Sequence, residues 1–213
     1  MSWLPFQAAW GIFMGVVNFF YWFVMWPLAF FGLSVFLIVV AAREVVLQRL
    51  QRHISAFWLF LGGEVILFVT LFSVVTWGEE SGTGALADGF ELPFLSCFLL
   101  LTSSVTITIY HHNYGLYSGR FFLCLSMVLG FLFIVVQVCE FYGSGTDSLY
   151  CSYFSASYMT VGLHFIHVAA GVFAMLFLLL IGPEEHYYYG SLVVWYWHFV
   201  DYVWLWVYLL IYF

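Results

Sequence analysis

Ile54-Ser-Ala-Phe-Trp-Leu-Phe-Leu-Gly-Gly-Glu64-Val-Ile-Leu-Phe-Val-Thr-Leu-Phe-Ser-Val-Val-Thr-Trp77 holds a single ionisable side chain, Glu64. An apolar run of about 20 residues, rising about 1.5 Å per residue, crosses a hydrocarbon core of about 30 Å. The stretch therefore reads as a membrane-spanning helix, and the chain around it repeats the pattern. Seven such runs follow one another, approximately Phe6 to Trp26, Leu28 to Leu47, Ile54 to Trp77, Leu92 to Tyr110, Phe121 to Tyr142, Tyr153 to Ile181 and Ser191 to Tyr212. Between the first two only Trp26-Pro27 intervenes, and the proline could instead kink a single helix.

Composition agrees with the runs. The 213 residues are 65% hydrophobic and only 7% charged, against about 25% charged in an ordinary soluble domain. A water-facing surface cannot be built from that. With four Arg, no Lys and a formal net charge of −7, the chain lacks the clustered cations that neutralise phosphates, which excludes nucleic-acid binding as a main activity. An aromatic share of 24% excludes disorder. The start, Met1-Ser-Trp-Leu-Pro-Phe-Gln-Ala-Ala-Trp10, has neither a basic n-region nor a small-residue cleavage site, so it does not read as a secretory signal. Synthesis on the same side as the host membrane, in a bacterium or inside an organelle, is the expectation.

Charge placement sets the expected orientation. Arg43, Arg49 and Arg52 sit at the junction of the second and third runs and Arg120 between the fourth and fifth, on one side if there are seven spans. Glu79, Glu80, Asp88, Glu91, Glu140 and Asp147 fall at the opposite junctions. By the positive-inside rule all four Arg face the cytoplasm or matrix, and the amino terminus shares that side. Gly182-Pro-Glu-Glu-His186 puts two acids on the Arg side, but acids contribute little to the rule. Six or eight spans would scatter the Arg or strand an apolar run in water.

Polar groups inside the spans are the candidate sites, because burying them in lipid is expensive. Glu64 lies near the midplane, about 18 to 20 Å from Arg52 and Trp77 at about 1.5 Å per residue. It reads as a proton-exchanging or gating carboxyl, or as a protonated acid that packs one helix on another. His198 and Asp201 share a helix face at i, i+3, where the carboxylate could fix the imidazole tautomer; the other reading is a hydrogen-bonding pair holding helices together. His164 and His167 repeat that spacing. A metal there would need further ligands from elsewhere, and no Glu or Cys shares their face, so interhelical hydrogen bonding is favoured. Gly162 and Gly171 suggest close helix approach nearby.

The adjacent His111 and His112 point about 100° apart, cannot chelate one metal together, and suit headgroups or water at the membrane surface. Cys97, Cys124, Cys139 and Cys151 show no metal-ligand spacing. Cys139 and Cys151 flank one loop and could pair in an oxidising compartment, with buried free thiols as the alternative. The glycine-containing stretches 78–89 and 143–148 lack the Lys-Ser/Thr ending of a phosphate-binding loop and read as turns. Tyr187-Tyr188-Tyr189 and Trp195 to Trp197 read as interfacial belts.

Several strings resemble one family, the third subunit of cytochrome c oxidase among the haem-copper oxidases. Trp195-Tyr-Trp-His-Phe-Val-Asp201, followed by Val203-Trp204-Leu205, Tyr208 and Ile211-Tyr212, carries the resemblance furthest. Gly63-Glu64-Val65, Glu91-Leu-Pro93, Ser104-Val-Thr-Ile-Thr108 through His111-His112, Gln137 with Glu140 and Tyr142, and Gly162-Leu-His164 with His167 and Gly171 arrive in the family's order. They cover about residues 60 to 213, and Arg43-Glu44 looks like the family's pair closing the second span.

The resemblance implies an all-α integral membrane protein of seven transmembrane helices, with residues 1–52 forming a two-helix part and residues 53–213 a five-helix bundle around a lipid cleft. It implies a non-catalytic subunit of respiratory complex IV, without cofactors of its own, stabilising catalytic subunit I and supporting proton uptake and oxygen reduction. Haem and copper would sit in the partner subunits. Phospholipid would lie in the cleft, with Arg43, His111 and His112 toward headgroups and Glu64 as a modulating or structural acid. His164, His167, His198 and Asp201 would be interhelical polar groups, and no residue binds metal. The expected location is the mitochondrial inner membrane with the amino terminus in the matrix, or a bacterial plasma membrane. Other readings are subunit III of a bacterial quinol oxidase, an independent proton channel using Glu64 and Asp201, and a haem-bearing electron carrier. The family's polar amino-terminal tail and longer second-to-third loop are missing here, so accessory subunits are expected to fill that volume.

Overall fold

The computed structural model describes residues 54–78, 89–143, 152–181 and 187–212. The first two expected spans, the division at residue 52 and Arg43 lie outside the described residues. Ile54–Phe213 forms a compact unit by itself. Its described part is all helical: α1 (Ile54–Gly78), α2 (Leu92–His112), α3 (Tyr117–Gly143), α4 (Ser152–Ile181) and α5 (Tyr187–Ile211).

Each helix coincides with one of the last five apolar runs. Boundaries shift by up to four residues at starts and two at ends, because less apolar residues at the edges, Tyr117 to Arg120 and Tyr187 to Gly190, continue the helical ladder. Four helices, α1 to α4, are long and apolar enough to cross a membrane among the described residues. The fifth has the length, but its Trp, Tyr, His and Asp side chains lower its hydropathy.

The packing is inverted relative to a water-soluble bundle. Along α3 the buried positions are Gly119, Leu123, Ser126, Gly130, Phe133, Gln137 and Glu140, alternating four and three residues apart, and five of the seven are polar or glycine. Along α2 the same stripe includes Ser96, Ser103 and Cys97. Large apolar residues point outward instead: Leu59 is 78% exposed, Trp77 90% and Leu180 75%. In water that surface would drive aggregation. In lipid it costs nothing, while small and hydroxylated residues inside let helices approach and bond.

The helices α2 and α3 form an antiparallel hairpin. Its turn is closed by Leu116 N–H on the Asn113 carbonyl at 3.1 Å, and Gly115 takes φ +82°, a conformation a side chain would strain. Helix α5 packs on α1, α2 and α4, and α4 packs on α1, α3 and α5. Helix α1 buries only Leu61, Phe68 and Val75 at seven-residue intervals, so it lies at the edge of the unit with one narrow seam inward. At the centre Trp197, Trp204, Phe133 and His164 are fully buried.

Candidate functional site

Four helices converge on Trp197 because two of them carry glycine at its level. A Cβ on Gly171 would lie 2.7 Å from the Trp197 ring and one on Gly130 would lie 2.8 Å from it, so the ring fills the gap between α3 and α4. Its Nε1–H donates to Ser103 Oγ on α2 at 2.9 Å. Ser103 donates in turn to the Leu100 carbonyl at 2.7 Å. Gly162 departs from the expectation of close approach: a Cβ there meets nothing within 4 Å among the described residues, since that face of α4 points away from the seam.

The next residue along α5, His198, bridges two hydroxyls of α2. Its Nδ1 lies 2.7 Å from Ser104 Oγ and its Nε2 lies 3.3 Å from Thr108 Oγ1. Thr108 spends its hydrogen on the Ser104 carbonyl at 2.8 Å, so it accepts from Nε2–H and Nδ1 accepts from Ser104. The tautomer is therefore set by α2 and not by Asp201. Asp201 is 5% exposed, and neither carboxyl oxygen has a hydrogen bond among the described residues. Ser104 is the hydroxyl beside it, already engaged with His198.

Glu64 is held across helices. Its Oε2 lies 2.9 Å from His167 Nε2, and both side chains are mostly buried, at 20% and 12% exposure. His167 Nδ1–H donates to the Leu163 carbonyl at 2.8 Å, Phe68 lies edge-on to the imidazole, and Tyr196 O–H donates to the His167 carbonyl at 3.1 Å. The i, i+3 pair thus splits between two neighbours. His164, fully buried, turns to α5 and meets the Val200 carbonyl at 3.1 Å through Nε2. Among the described residues no three His, Cys, Asp or Glu side chains come together as a metal-ligand set.

At the membrane edge His111 stacks on Tyr187, with ring centroids 5.5 Å apart, and His112 beside it is exposed. Cys97 is buried, while Cys124 and Cys139 are exposed; all three are free. Cys139 has no disulfide among the described residues, and Cys151, its expected partner, lies outside them.

A second buried polar cluster was not singled out as a site in the sequence. Gln137 Nε2–H donates to Glu140 Oε2 at 2.9 Å, and Tyr212 O–H donates to Glu140 Oε1. The signal was present, since Gln137 and Glu140 share a face at i, i+3 inside an apolar run. No spacing signal ties Tyr212 to them, because it stands 72 residues from Glu140.

These helices and their polar seams occupy the region matched by the profile of one family, described as cytochrome c oxidase subunit III, over residues 32–213. The chain belongs to that family. Cytochrome c oxidase subunit 3 of Bacillus sp. (strain PS3) is 32% identical, with 80% of this chain and 89% of that protein aligned. The subunit 3 proteins of Anopheles gambiae and Drosophila melanogaster are 33% and 30% identical, covering 86% and 98% of this chain and 73% and 92% of theirs. The family match reaches back past Arg43-Glu44, further than the strings in residues 60 to 213. Subunit III relatives thus occur in bacteria and insects, and this member is a multi-pass membrane protein.

Proposed function

We propose that the chain is a non-catalytic core subunit of cytochrome c oxidase that stabilises catalytic subunit I and supports its proton uptake and oxygen reduction during aerobic electron transport. The observation that carries this is the subunit III family match across residues 32–213, which takes in every described helix. Seven spanning helices in a two-plus-five arrangement around a lipid cleft, with α5 as the seventh span, complete the reading. Haem and copper belong to the partner catalytic subunits and this chain carries none. Its own polar groups work as interhelical fastenings: His198 to α2, His164 to α5, and Glu64 with His167 between α1 and α4. Asp201, buried and without a hydrogen-bond partner among the described residues, completes that polar set.

Phospholipid is the small-molecule partner. An apolar groove of about 490 Å³ between α1 and α5, lined by Val65, Phe72, Phe199, Tyr202 and Trp206 among others, supports lipid contact on this unit. Arg43, His111 and His112 would meet headgroups. The host membrane is the mitochondrial inner membrane with the amino terminus in the matrix. The Bacillus relative, aligned over 89% of its length, favours a bacterial plasma membrane as the second reading. The independent-channel reading gains no support, because no hydrogen bond links Glu64 to Asp201 among the described residues. Affinity isolation of the tagged chain in mild detergent tests the proposal: a haem-copper core oxidising cytochrome c should come with it, and isolation without such a core would refute it.

A further inference from the structure

The hydrogen bonds around Glu64 fix a proton count. His167 Nδ1 faces the Leu163 carbonyl at 2.8 Å, and a carbonyl only accepts, so Nδ1 carries a hydrogen. The bond from Nε2 to Glu64 Oε2, at 2.9 Å, then needs one hydrogen, supplied by the carboxylic acid or by the imidazolium. With none, two lone pairs face each other beside an uncompensated carboxylate. With two, the imidazolium donates to a neutral acid and its own charge stays uncompensated. Both alternatives leave a net charge in the apolar span, where charge is expensive.

The groups packed around the pair offer no compensation. Tyr196 on α5 spends its hydroxyl hydrogen on the His167 carbonyl. His164, one turn away on α4, is turned to the Val200 carbonyl. Phe68 presents a ring edge. Among the described residues no other ion pair involves either partner.

The same bonds close the exit through His167. An imidazole relays by taking a proton at one nitrogen and releasing one from the other. Here the second nitrogen faces a carbonyl within its own helix, which cannot take a proton onward and already accepts a backbone N–H in the helical ladder. We propose that Glu64 and His167 bind a single proton between them as a neutral latch joining α1 to α4, storing that proton and not relaying it. Transfer within the pair breaks the O–H bond, forms the N–H bond, and leaves the net charge at zero. This deepens the reading of Glu64 as a modulating or structural acid. It rests on the geometry of the pair and not on membership in an oxidase, so isolation of the chain without an oxidase would leave the latch to be tested unchanged.

The test counts protons in the isolated complex, with nitrogen-15-labelled histidine. The Glu64 carboxylic-acid stretch is assigned by infrared difference against Glu64→Gln, and the His167 ring signals by magnetic resonance against His167→Gln. One signature, the acid band or a protonated Nε2, is expected to account for a single proton in the intact complex. Two protons or none would overturn the latch. During turnover in deuterated water, the pair should exchange its proton only over many cycles; exchange within one cycle would overturn storage.

Discussion

The Trp197 clamp makes a quantitative prediction about two glycines of the same helix. In Gly171→Ala the new methyl would sit 2.7 and 2.8 Å from two ring carbons of Trp197, where ordinary carbon contacts need about 3.5 to 4.0 Å. The ring must withdraw by about 1 Å, yet its far edge already abuts Gly130, where a Cβ would lie 2.8 Å away. The withdrawal also pulls Nε1 from Ser103, now at 2.9 Å. Overpacking costs about 1–3 kcal/mol and a weakened hydrogen bond about 0.5–1.5 kcal/mol. Alanine returns up to about 1 kcal/mol of helix propensity over glycine. The net loss is about 1–3 kcal/mol, or about 2–4 °C of midpoint per kcal/mol for a chain of this size.

Gly162→Ala, with nothing within 4 Å of its Cβ, has the propensity gain without the clash and is the matched control. The assay heats the complex in mild detergent and follows retention of the chain in the assembled particle. Gly171→Ala should dissociate or lose its fold several degrees below wild type, and Gly162→Ala at or above it. Equal midpoints for the two variants would refute the clamp.

Glu64→Gln should assemble and retain initial oxygen consumption, because an amide N–H can still donate to His167 Nε2; immediate loss of activity in an assembled complex would contradict this. Ser103→Ala strands the buried Trp197 N–H and should cost about 1–3 kcal/mol in the same heating assay, whereas Thr102→Ala, exposed on α2 with a bond only to its own helix, should stay within about 0.5 kcal/mol of wild type. Tyr212→Phe removes one of the two donors to Glu140 and should destabilise by about 1–3 kcal/mol, with a smaller effect when Glu140→Gln is already present. In sealed vesicles or mitoplasts, impermeant thiol reagent should label Cys at Glu79 and at Arg120 from opposite faces; labelling from one face would contradict the topology.

What the sequence revealed follows from the range of the interactions involved. Five helices were legible because about 20 consecutive apolar residues have few alternatives in lipid, and the starts of α3 and α5 each fall four residues earlier than expected, where tyrosine and small polar residues blur the edge of the apolar run. Polar pairs within one helix were legible as candidates, but their partners were not. His198 stands three residues from Asp201, yet its ring is set by Ser104 and Thr108, about ninety residues upstream. His167 meets Glu64 from 103 positions away, and no local spacing announces that. The two glycines flanking His164 looked alike in sequence. Only the helix packing separates Gly171, pressed on an indole, from Gly162, whose Cβ would meet nothing within 4 Å among the described residues.

The most direct measurement is the metal inventory of the native complex before and after this chain is stripped from it. The complex isolated in mild detergent should contain haem and copper in fixed proportion to the chain, and a stronger detergent should release the chain free of both, leaving the metals and the oxidase spectrum with the remaining core. Iron or copper travelling with the released chain, or a native preparation without them, would contradict the account.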